Sequence, residues 1–95
     1  MNIEKMVHSH EITPFPCGCH SIKVDNVNLC VIDSESTACA LSYLMLNGKL
    51  GSRRKQILSK CRDDLSTAIE QLEGEPKKYF EEIYSIADSI LQTLH

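Results

Sequence analysis

The stretch SIKVDNVNLCVIDSEST, residues 21–37, decides how the chain is built. Ser21-Ile22-Lys23-Val24 and Leu29-Cys30-Val31-Ile32 are two runs rich in β-branched residues. The polar Asp25-Asn26-Val27-Asn28 separates them, so the spacing predicts a β-hairpin over 17–33. Asp33-Ser34-Glu35-Ser36-Thr37 then supplies two N-cap candidates and an acid for a first helical turn. Ala38, Leu41, Leu44 and Met45 follow at helical spacing, which places a first helix at about 34–47 and ends it at Asn47-Gly48.

Downstream the periodicity is simpler. Leu58, Cys61, Leu65, Ala68 and Leu72 repeat in a 3-4-3-4 pattern, so a second helix is expected from a Ser52 cap to Gly74. Pro76 at a first helical position reopens the chain. Phe80, Ile83, Ala87, Ile90 and Leu94 then repeat the stripe, widened by Tyr79, Ile86 and Leu91. The short link between these helices predicts an antiparallel helical hairpin. Upstream, residues 1–16 show no sustained apolar period and contain Pro14 and Pro16, which reads as an irregular arm. The expected fold is therefore a single α+β domain over 1–95: arm 1–16, β-hairpin 17–33, three-helix region 34–95.

Composition bounds the function. Ninety-five residues with 42% hydrophobic and 24% charged side chains suit one globular domain. The longest apolar stretch, Ala38 to Leu46, is far too short to span a bilayer. An odd set of cysteines, 17, 19, 30, 39 and 61, with no export leader before them, points to reduced thiols in a cytoplasm. The net charge of −3 hides a segregation, with +6 on residues 49–62 and −6 on residues 63–95.

Coordinating chemistry gathers in HSHEITPFPCGCH, residues 8–20. In an extended arm His8 and His10 would face one side, and Cys17-Gly18-Cys19 would present two sulfurs, with His20 as a substitute ligand. These five residues are the expected zinc set. The same two thiols would also form a strained, exchange-active disulfide in a thiol-redox protein. Against both, only one cysteine pair is present, and it is Cys-x-Cys rather than the Cys-x-x-Cys of structural knuckles.

Lys49, Arg53, Arg54, Lys55, Lys60 and Arg62 form the second candidate site. Cations in the first turn of a helix oppose its dipole unless an anion faces them, so this segment reads as a partner- or anion-binding surface. No nucleophile-base constellation, phosphate-cradling glycine loop or dinucleotide fingerprint accompanies these features, which disfavours an enzyme. The last helix is apolar over a width greater than one neighbour would cover, making Phe80, Ile83, Ala87, Ile90 and Leu94 the expected interface of a homodimer. The resulting expectation is a non-catalytic regulator, adaptor or inhibitor that binds a protein partner, in the manner of small phage-type inhibitors. Nucleic-acid binding through 52–62 is the alternative, and zinc or thiol-redox chemistry through 8–20 is the third.

Overall fold

Four helices carry the architecture of the computed structural model, which describes residues 2–16, 22–24 and 27–94. They are α1 (Ile3–Glu11), α2 (Leu29–Met45), α3 (Ser52–Glu70) and α4 (Gly74–Thr93). The expected α+β fold is corrected to an all-helical one. Extended pairing among the described residues is limited to two rungs, β1 (Lys23–Val24) antiparallel to β2 (Val27–Asn28), with Lys23 opposite Asn28 and Val24 opposite Val27. Two rungs make a turn, not a layer of a fold.

Leu29-Cys30-Val31-Ile32, the expected second strand, is the first turn of α2. Asn28 stands in extended backbone and its side chain accepts a hydrogen bond from the Cys30 amide at 2.9 Å, the service an N-cap performs. Leu29 and Ile32, three apart, are both fully buried, and Ser36, Cys39 and Ala40 continue that face. Burial of this stripe outweighs the modest strand preference of Val31 and Ile32. The helix ends where expected. Asn47 takes a left-handed φ of 55°, Gly48 follows at 88°, and the Gly48 amide reaches back to the Tyr43 carbonyl at 2.8 Å while the Asn47 amide reaches Leu44.

The irregular arm is also corrected, because residues 3–11 are helical. Asn2 caps α1 by accepting from the Lys5 amide at 3.1 Å, and Val7 and His10 are buried with Ile3 and Met6 packed beside them. Pro14 and Pro16 lie beyond the helix, so their missing donors and steric demands act only after Ile12.

α4 is the central element and touches each of the other three helices. Pairings between helices fix their directions. Asp33 meets Tyr79 and Tyr43 meets Thr93, so α2 and α4 run parallel. Cys39 meets Arg54 and Glu35 meets Cys61, so α3 is antiparallel to α2. α3 and α4, joined by residues 71–73, form the expected helical hairpin. Leu58, Cys61, Leu65, Ala68 and Leu72 of its first limb and just beyond are buried against Phe80, Ile83, Ile86, Ala87, Ile90 and Leu91 of its second.

Candidate functional site

His10 is the only buried imidazole among the described residues, and α1, α2 and α4 each contribute to its surroundings. Its Nε2 lies 3.0 Å from Asp33 Oδ1, and its Nδ1 lies 3.3 Å from Glu82 Oε1. The second approach is short but is not aligned as a hydrogen bond. Tyr79 donates its hydroxyl to the other Asp33 oxygen at 2.9 Å and lays its ring against His10, centroids 4.5 Å apart. Burial, reinforced by Asp33, pushes the Tyr79 phenol well above its ordinary range. One imidazole nitrogen is therefore hydrogen-bonded to Asp33 while the other faces Glu82 without a hydrogen bond, and the cluster joins three helices.

This geometry changes the premise of the zinc set. On a helix His8 and His10 lie on different faces, His8 exposed and His10 paired with Asp33 and Glu82. Cys17, Cys19 and His20 lie outside the described residues. Among the described residues no three histidine, cysteine or carboxylate side chains are grouped to hold a metal ion. Cys39 and Cys61 are buried between α2 and α3, their Sγ atoms 3.7 Å from the Arg54 carbonyl and 3.8 Å from Glu35 Oε2. Burial raises both thiols, Cys61 from 9.0 to about 11.

The basic segment divides in two. Lys60 pairs with Asp64 at 2.8 Å, and Arg62 reaches Asp63 at 3.6 Å and Asp88 of α4 at 3.5 Å, so these two cations are neutralised within the fold. Lys49, Arg53, Arg54 and Lys55 meet no carboxylate among the described residues. Arg54 instead donates through Nη1 to the Ser42 hydroxyl, laying its guanidinium against α2. Gly51 rather than Ser52 occupies the N-cap of α3, without a side-chain cap.

The expected dimer face proves to be the chain's own core. Phe80, Ile83, Ala87 and Ile90 are buried within one copy and Leu94 is partly covered, because α1 closes the side of α4 that α2 and α3 leave open. The reason for expecting self-pairing there disappears. Among the described residues the large apolar side chains left exposed lie instead mostly along α2, with Ile12 after α1 the exception. Val31 is 45% exposed, Leu41 36% and Met45 81%, with Leu46 just beyond the helix at 52%. Leu41 and Met45 belong to the stripe that the spacing placed in the core, whereas the buried stripe lies around the opposite side of the helix. Two apolar stripes on one helix leave periodicity unable to say which faces inward.

No family model, curated protein or solved structure matches this chain.

Proposed function

We propose that the protein is a non-catalytic binding module, a small regulator, adaptor or inhibitor, which engages a protein partner through the outward face of α2. The exposure of Val31, Leu41 and Met45 on one side of a helix whose other side is fully packed carries this reading. Scattered apolar residues are ordinary on protein surfaces, but a stripe repeated along one helix is a common docking surface. The surrounding chemistry supports contact over catalysis, since the buried imidazole is hydrogen-bonded to Asp33 and flanked by Glu82, and burial raises the buried thiols toward the neutral form. No helix among the described residues is long and apolar enough to cross a membrane.

A photo-crosslinking residue at position 45, compared with the same residue at exposed position 81, tests the proposal in extract of the source cells. A discrete protein adduct from position 45 that Leu41→Asp abolishes is the expected result. Equal labelling from both positions would sink it. Lys49, Arg53, Arg54 and Lys55, which meet no carboxylate among the described residues, favour a second reading in which phosphates of a nucleic acid face α3. That reading requires salt-sensitive binding to DNA or RNA that Arg53→Ala, Arg54→Ala and Lys55→Ala together remove.

A further inference from the structure

Resting on the α2-face reading, we infer that the partner element is an amphipathic α-helix carrying carboxylates at the end that covers Met45. The outward residues Val31, Ser34, Ala38, Leu41 and Met45 are spaced 3-4-3-4. That is the a/d seam by which one helix packs along another, here with every position at least 36% exposed. The residues opposite the seam, Ile32, Ser36, Cys39 and Ala40, are buried, so α2 is anchored on one side and presents the seam on the other. A strand or an extended peptide would satisfy its backbone poorly against a helix surface, whereas a second helix brings its hydrogen bonds with it.

Charge selects the kind of helix. From Ser36 to Arg62 the chain contains no acidic residue. Ser42 occupies a position flanking the seam, and the Arg54 guanidinium bonded to it supplies the charge that such flanks carry in paired helices. Exposed Lys49 and Arg53 add basic charge to the segment that follows Met45 and Leu46 in the chain. Glu35 marks the other end of the seam as acidic. A partner helix with glutamates or aspartates over Leu41–Lys49 and neutral or basic residues over Val31–Glu35 meets opposite charge along its length. The apolar seam between the charges argues against nucleic acid, whose phosphates gain nothing from Leu41 and Met45. A membrane surface is a poorer fit, because the seam carries none of the aromatic residues that typify interfacial helices.

The experiment uses the full chain, isotope-labelled, titrated with a three-heptad helical peptide bearing leucine at its seam positions and glutamate on the flanks of one half. A second peptide carries glutamine in place of glutamate. The inference expects saturable shifts centred on Leu41, Met45 and Leu46, and binding about fivefold weaker for the glutamine peptide, the size of effect exposed ion pairs supply. Arg54→Ala should lower affinity for the glutamate peptide only. Met45→Asp should abolish binding of both, with an unchanged melting temperature to show that the fold survives. Equal affinity for the two peptides would overturn the acidic partner while leaving the α2-face reading standing. Shifts elsewhere, or none, would overturn the inference outright, and the crosslinking at position 45 then decides the fate of the α2-face reading separately. Concentration-dependent dimerisation through the seam, or binding to anionic vesicles or duplex DNA with the peptide silent, would also overturn it.

Discussion

His10 shows how much one side chain holds in this molecule. It is the eighth residue of a nine-residue helix that is too short to persist alone in water, and its ring lies between Asp33 on α2 and Glu82 on α4. Replacing it by alanine removes the ring packed on Tyr79 and leaves Asp33 with a single partner, the Tyr79 hydroxyl. His10→Ala should cost about 2–4 kcal/mol in a denaturant titration, since a buried polar group deprived of its partner is expensive. His8→Ala, one turn face away and exposed, should stay within about 0.5 kcal/mol. The same scale governs the response to alkali. Burial raises Cys61 from 9.0 to about 11 and also raises Cys39 and Tyr79, so each is held neutral in the folded chain. A folded-state value above the unfolded one means that the associated stability is complete below pH 9 and fades as pH climbs toward 11. Denaturation midpoints measured at pH 7, 9 and 10.5 should fall only above 9, and Cys61→Ala, though less stable at pH 7, should show a shallower alkaline decline.

Among the elements, α2 carries the main lesson about what the residues declare and what they conceal. The helical hairpin was legible because Leu58, Cys61, Leu65 and Ala68 face Phe80, Ile83, Ala87 and Ile90 in two unbroken stripes with polar residues between. α2 gave no such contrast. Val31, Leu41 and Met45 compete with Leu29, Ile32 and Cys39, and the buried set includes Ser36, whose hydroxyl is satisfied by the Ile32 carbonyl at 2.7 Å. α1 was concealed for a different reason. Its stripe of Ile3, Met6, Val7 and His10 includes a histidine that enters the core only because Asp33 and Glu82 wait for it from distant parts of the chain. The one local signal that favours helix over strand at residue 29 is Asn28, which caps the first turn through the Cys30 amide. Asn28→Ala should therefore destabilise the fold by about 1 kcal/mol, as lost N-caps do. Asn28→Asp should retain most of the cap, and the difference between the two variants in thermal unfolding isolates the hydrogen bond from the removal of a side chain.

At the scale of the whole molecule, the closure of α4 decides why the excess apolar surface lies on α2. Three helices surround α4, and the radius of gyration of 12.5 Å is close to the roughly 12.4 Å expected of a compact chain of this length. Without α1, Tyr79 would lose the His10 ring, and the core would lose buried Val7 with the partly buried Ile3 and Met6. Deleting residues 1–12 should therefore weaken the fold by far more than trimming a frayed end. Val7 alone contributes about 1.5–3 kcal/mol of apolar burial, and the His10 contacts disappear with it. Measured by denaturant and by amide exchange, the truncated chain should lose protection first in the α4 turn containing Tyr79 and in the start of α2, while the α3–α4 contacts around Leu65 and Ile86 fail last. Added dye that binds exposed apolar surface should fluoresce with the truncated chain and stay dark with the full one. If the truncated chain instead kept its stability and left the dye dark, α1 would be a passenger, and the face of α4 that it covers would again be a candidate for self-pairing. The full-length arrangement predicts the opposite, because α1 is fastened to α4 by the His10 ring on Tyr79 as well as by its packed apolar residues.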